Sequence, residues 1–305
     1  MRVFVTGASG HIGSAVIPEL LSAGHQVVGL ARSDASASVV AALGADVHLG
    51  SLDDHDSLGK AVSESDGVIH LAFKHQEMNT GDMDGALDAD LRAIQAMGEA
   101  LADSGKPFVG TSGTLPLAFG GVEGTATESD VMEAGPRIDA ENVVIALSDR
   151  GVRSSVVRLP PLVHSSLDHT GFTPALIRFA RKNGKAGYVG DGSNRWPAGH
   201  TLDAARLFRL ALEAAPGGSR LHAVGDEGVP FREIAEVIGH QLGVPAVSIA
   251  PEEVADYFDY LAFFASLDNP ASSTFTQELL DWHPTHPGLI DDLNEGHYFK
   301  HYFKD

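Results

Sequence analysis

Thr6-Gly7-Ala8-Ser9-Gly10-His11-Ile12-Gly13 follows a short apolar run, Val3–Val5, and opens a stretch of helical period over Gly13–Ala23. Glycines at positions 7, 10 and 13 answer separate needs at the end of a strand. Gly7 turns the chain tightly, Gly10 lets a pyrophosphate approach the backbone, and Gly13 lets the new helix lie close on the strand. The helix that starts there directs free N–H groups and a partial positive charge to the same place. The stretch predicts a dinucleotide-binding turn at the head of a βαβ unit. The bland alternative, a glycine turn with no ligand, is disfavoured by the strand before it and the helix after it.

Beyond this turn, β-branched apolar runs alternate with helical stretches: Gln26–Ala31, Ala35–Leu43, Asp46–Leu49, Leu58–Ser63, Gly67–Ala72, Gly85–Ser104, Pro107–Thr111, Arg137–Asp149 and Arg153–Leu159. Such alternation predicts an α/β fold, a Rossmann-type doubly wound parallel sheet with helices on both faces. After Pro160 the rhythm loosens into Gly and Pro clusters with strong helices at Leu202–Ala215 and Phe231–Leu242. Residues 1–160 are therefore expected to form the dinucleotide-binding domain, with 200–215 packing back on it, and 161–305 a smaller substrate lobe.

Composition narrows the function. The 305 residues can bury a large core without staples, and the absence of cysteine excludes disulfides and thiolate chemistry. The formal charge of -20 repels phosphate backbones and anionic membranes, so no nucleic acid and no membrane is expected as partner. With no secretory pattern at Met1–Gly10 and only strand-sized apolar runs, the expected location is cytoplasmic. An anionic cofactor must then be held locally, by backbone amides, a helix dipole and a few arginines. Arg32 and Ser33, at the end of the second strand, suit a 2′-phosphate better than bare ribose hydroxyls. The expected cofactor is NADP(H), with NAD(H) as the alternative.

With TGASGHIG at the start, Leu52-Asp53-Asp54 after the third strand, His70-Leu71-Ala72 ending the fourth and Arg158-Leu159-Pro160-Pro161 ending the sixth, the chain resembles the extended short-chain dehydrogenase/reductases. These include the NAD-dependent epimerase/dehydratase proteins. Asp191-Gly192 and His200-Thr201-Leu202-Asp203 extend the resemblance into the second half. It implies that Gly7, Ser9, Gly10, His11 and Ile12 hold the pyrophosphate and that Ser51 and Leu52 flank the adenine. It also implies that Ala72, Phe73 and Lys74 line the ribose and that Leu162, Val163 and His164 border the nicotinamide. Ser51 departs from the family's usual Asp.

A larger departure concerns catalysis. Hydride-transferring members place Tyr and Lys four residues apart on the helix after the fifth strand. Here Arg137 and Glu141 stand in that stretch, and no Tyr precedes Tyr188. Ser112 or Thr114, ending the fifth strand, could polarise a substrate carbonyl, or could merely satisfy strand-end backbone. His164 could donate a proton near neutral pH. Scattered His164, His200, His222 and His240 show no metal-ligand spacing, so no metal is expected. Arg195 and Trp196 could grip a planar substrate or pack between lobes, and Phe258–Phe264 could be a core helix, a substrate wall or a dimer surface.

The expectation is a ketoreductase acting with NADPH on the carbonyl of a bulky, largely apolar small molecule, polyketide- or steroid-like, as a monomer or homodimer. A non-catalytic NADP(H) redox sensor is the rival reading, and nucleotide-sugar epimerase or dehydratase chemistry the third.

Overall fold

The computed structural model describes residues 1–75, 77 and 80–300. Its strands are β1 Arg2–Thr6, β2 Gln26–Ala31, β3 Asp46–Leu49, β4 Gly67–His70, β5 Pro107–Gly113, β6 Arg153–Leu159, β7 Leu162–His164, β8 Ala186–Val189, β9 Arg195–His200, β10 Ser219–His222, β11 Asp226–Pro230 and β12 Ala246–Ile249. The principal helices are α1 His11–Ser22, α2 Asp34–Ala42, α3 His55–Ser63, α4 Met83–Leu101, α5 Leu115–Phe119, α6 Ile138–Ala146, α7 Phe172–Asn183, α8 Thr201–Ala214 and α9 Phe231–Leu242.

Seven strands form one sheet in the order β10-β6-β5-β4-β1-β2-β3, and every pairing in it is parallel. A parallel sheet must be covered on both faces, which is why β1 and β4 read as unbroken apolar runs. On one face Val16, Ile17 and Leu20 of α1 meet Leu207, Phe208 and Ala211 of α8 over Val3, Val5 and Ile69. On the other, Leu58 and Val62 of α3 and Ile94, Met97 and Leu101 of α4 cover Phe4, Val68 and Phe108. Strand order reverses between β4 and β1, so connections leave to opposite faces there and open a crevice at the C-terminal edge.

A separate apolar cluster, with Trp196, Phe231, Ile234, Ile238, Phe258 and Leu289, lies under β8, β9, β11 and β12. The second half also returns β10 to the large sheet beside β6, a strand that the sequence reading did not separate from the Pro216–Gly218 turn. The aromatic segment Phe258–Phe264 is not a core helix. A short helix ends at Phe258, Asp259 turns the chain with φ +50°, and Tyr260 and Phe263 emerge to solvent while Leu261 stays buried.

Candidate functional site

The cradle forms where β1 gives way to α1. Gly7 adopts φ +65°, and a β-carbon there would lie 2.7 Å from the amide nitrogen of Ala72 at the end of β4. One at Gly13 would collide with the carbonyl oxygens of Gly7 and Ala8. Ser9 and Gly10 are exposed, and no side chain caps the first turn of α1. Its amides are therefore available to an anion, and the cradle fits a pyrophosphate.

The His11 ring turns away from that space. Its Nε2 lies 2.8 Å from Thr201 Oγ1 and its Nδ1 is 3.7 Å from the Asp168 carboxylate, so the contribution of His11 to an anion is its backbone. Ile12 is half-buried and packs against the α1–α8 layer.

At the end of β2, Arg32 is exposed with no ion-pair partner among the described residues. The Ser33 hydroxyl caps α2 in a reciprocal arrangement with Ser36. After β3, Leu52 is buried and the Ser51 hydroxyl accepts the Asp53 amide at 3.3 Å. After β4, Ala72 donates its amide to Thr6 Oγ1 at 3.2 Å, and Lys74 pairs with Asp53 at 2.9 Å. Phe73 lies under the Arg137 guanidinium, 4.3 Å from its ring centre.

Arg137 ends a chain of polar contacts across the crevice. Thr6 Oγ1 meets His70 Nδ1 at 2.7 Å, His70 Nε2 meets Asp90 Oδ1 at 3.0 Å, and Arg137 donates to Asp90 Oδ2 at 2.8 Å and to the Thr111 carbonyl at 2.9 Å. Burial pushes the Asp90 carboxyl up, but the His70 hydrogen bond and the Arg137 charge outweigh it and hold it below the usual range. Asp90 was overlooked in the sequence, although an acid among Ala86, Ala89, Ala93 and Ile94 on the buried stripe of α4 is a readable signal.

Arg137 and Glu141 do not form a pair on one helix face. Arg137 precedes α6 at φ +68°, and Glu141 is buried in an ion pair with Arg158 at 2.6 Å and with Arg220 at 2.8 Å. Burial alone would raise the Glu141 carboxyl; Arg158 and Arg220 hold it below its ordinary value. Beside it, on β5, the buried Ser112 hydroxyl faces the Glu141 carboxylate and adds to the groups that hold it down, without closing to a full hydrogen bond. Thr114 is wholly enclosed, its oxygen 3.4 Å from the Asn269 amide, so in this structure it packs the strand end.

On β7, Leu162 is buried, Val163 half-buried and His164 fully enclosed. His164 Nδ1 lies 2.9 Å from Asp292, while its Nε2 is bare. His164 therefore does not face open solvent. Burial and the neighbouring His169, His164 and His200 push His11 down to about 4, and burial pushes Asp168 up to about 6. His200, Asp203 and His286 bring three ligand-type atoms together. The His200 and His286 rings, however, stack at 4.6 Å and 8°, so their in-plane lone pairs do not converge on one ion. Trp196 is buried with its Nε1 donating to the Leu267 carbonyl, so it packs the interior, while Arg195 pairs with Asp268 on the surface.

This architecture matches a known family. A model of the NAD dependent epimerase/dehydratase family fits residues 3–223, and the chain belongs to that family. It is an enzyme of the NAD(P)-dependent oxidoreductase type. An uncharacterized protein of Schizosaccharomyces pombe is 44% identical over 98% of this chain and 100% of its own length. The 4-hydroxy-2-methyl-3-oxo-4-farnesyl-3,4-dihydroquinoline-1-oxide ketoreductase of Stigmatella aurantiaca is 27% identical over 81% of this chain and 75% of its own. Among solved structures, a dTDP-glucose 4,6-dehydratase of Streptomyces venezuelae with NAD bound has the same fold, with a TM-score of 0.75 and 20% identity over 96% of each chain. No helix among the described residues is long and apolar enough to cross a membrane.

Proposed function

We propose that this chain is an NAD(P)H-dependent reductase of the carbonyl of a bulky, largely apolar small molecule. The observation that carries the reading is a ring of aromatic side chains beyond the end of β5. Phe119, from the helix that follows Ser112 and Thr114, stacks on Phe263 at 5.1 Å and approaches Phe264 at 5.3 Å, and Phe264 approaches Phe172 at 6.2 Å. Phe119 is 41% exposed and Phe263 68% exposed, so two halves of the chain hold apolar surface open at the edge where ligands of such sheets bind. The ketone named for the 27% identical relative carries a farnesyl chain, which suits a wall of this kind.

Gly7, Ser9, Gly10 and the backbone of His11 and Ile12 would hold the pyrophosphate, Arg32 the 2′-phosphate of NADP(H), and Phe73 and Val163 would border the rest of the cofactor. When bound, the reduced nicotinamide supplies a hydride. The Ser112 hydroxyl, which faces the Glu141 carboxylate without closing to a full hydrogen bond, would turn to donate to a carbonyl oxygen at the end of β5. His164, with Nδ1 held by Asp292 and Nε2 bare but enclosed, would supply the proton through a relay rather than by direct contact with the carbonyl. A hydroxyl beside the substrate ketone would share that task.

The test is oxidation of NADPH and NADH followed against a panel of ketones graded by size and polarity. The expected result is turnover of bulky apolar ketones and little of small polar ones. Tight cofactor binding with no turnover of any ketone would overturn the reading and leave the redox-sensor alternative.

A further inference from the structure

Just before α6, in the stretch where a tyrosine is expected, Arg137 is a cation held in place from three sides. Arg137 adopts φ +68°, ψ -22°, a backbone conformation that bulky side chains rarely occupy, and its own contacts account for the strain. Asp90 grips one end of the guanidinium, the Thr111 carbonyl the other, and Phe73 covers one face. Asp90 is itself held by His70, and His70 by Thr6, so the guanidinium is tied through side chains to the ends of β1 and β4 and through backbone to β5. Of its five N–H donors, two are engaged by described residues. The side chain is 24% exposed, at the crevice where strand order reverses.

We propose that Arg137 is a substrate-anchoring residue whose free donors take two neighbouring oxygens of the substrate, as in an α-hydroxy ketone, a 1,2-diketone or the anion of either. The proposal rests on the reductase reading for its substrate. A planar fork suits a pair of oxygens on adjacent carbons better than a lone carbonyl, because two parallel N–H bonds form at once. Partial negative charge on such a pair is neutralised by a group that stays protonated at any physiological pH. Asp90 already balances the guanidinium charge, so the attraction for an electron-rich ligand comes from the directed free N–H donors rather than from net charge.

The probe is oxalate, which presents adjacent oxygens and undergoes no turnover, titrated calorimetrically into the full chain with saturating NADP⁺; acetate is the control. Wild type should bind oxalate more tightly than acetate. Arg137→Ala should weaken oxalate binding about ten- to a hundredfold. Arg137→Lys retains the charge against Asp90, which protects the fold, but lacks the fork, and should lose the preference for oxalate over acetate. NADPH affinity should stay within twofold, roughly, in both variants. Oxalate binding unchanged in Arg137→Lys, or a parallel loss of NADPH affinity, would overturn the proposal, the second because Arg137 would then be holding cofactor. These outcomes are independent of ketone turnover, so failure of the reductase reading shows separately in the assay above.

Discussion

Glu141 and Arg158 meet in the interior through two hydrogen bonds, Arg158 Nη2 to Oε1 at 2.6 Å and Arg158 Nε to Oε2 at 3.0 Å, with both side chains at most 1% exposed. The pair ties α6 to β6 at the stretch where hydride-transferring relatives carry their Tyr and Lys. A buried pair is costly to break, because removing one partner leaves the other charged and unpaired. Glu141→Leu should therefore lower stability by about 3–5 kcal/mol, and the double variant Glu141→Leu/Arg158→Met should recover only part of the loss, because Arg220 still lacks its carboxylate. Urea denaturation measures both, and a single variant within about 1 kcal/mol of wild type would show that water reaches the pair.

Gly10 and Gly13 separate binding from folding. A β-carbon at Gly10 would meet only the Gly7 carbonyl oxygen, at 3.2 Å, whereas one at Gly13 would collide with backbone. Gly10→Val should keep the native circular dichroism and lose cofactor binding, while Gly13→Val should unfold or fail to accumulate. A Gly10→Val protein that still binds NADPH in a calorimeter would mean that the turn carries no phosphate.

On the function proposed above, Arg32 would set the choice between phosphorylated and unphosphorylated cofactor. A charge-assisted contact of roughly 1.5–3 kcal/mol corresponds to about ten- to a hundredfold in affinity. Arg32→Ala should weaken NADPH by that factor and leave NADH nearly unchanged, as measured by fluorescence titration. Equal weakening of the two would remove Arg32 from the 2′-phosphate.

Periodicity was enough to read the sheet up to β6, because buried parallel strands and amphipathic helices leave strong patterns. It could not separate β10, whose residues Ser219–His222 carry no alternation and become a strand only by pairing with β6. Spacing alone also misplaces Arg137 and Glu141: four residues apart suggests one helix face, but α6 begins only at Ile138 and the left-handed turn before it sends Arg137 to Asp90 instead. The partner of His164 was not legible, since Asp292 is 128 residues away and no local pattern carries that contact. The glycine turn was legible because Gly10 and Gly13 answer to the turn itself, whereas the close approach of Ala72 to Gly7 was not.

His11 makes the stability of the fold depend on pH. Its ring sits near 4 in the folded chain, against 6.5 as a free side chain, because it is buried and His169, His164 and His200 lie near. Between those values the unfolded chain holds a proton that the folded chain declines. Stability from this group is therefore full above pH 6.5 and falls as pH drops toward 4, by up to about 3 kcal/mol. Asp168, 3.7 Å away, acts in the opposite sense, since burial raises it to about 6 and the folded chain then holds the extra proton between 3.8 and 6. The two partly cancel in wild type, so the informative quantity is a difference. His11→Gln keeps a donor for Thr201 and removes the titration. The stability of wild type minus that of the variant should fall by up to about 3 kcal/mol between pH 6.5 and pH 4, read from urea curves across that range. Parallel curves would mean that folded His11 accepts its proton and pairs as a cation with Asp168, and the network around Thr201 would then be ionic rather than neutral.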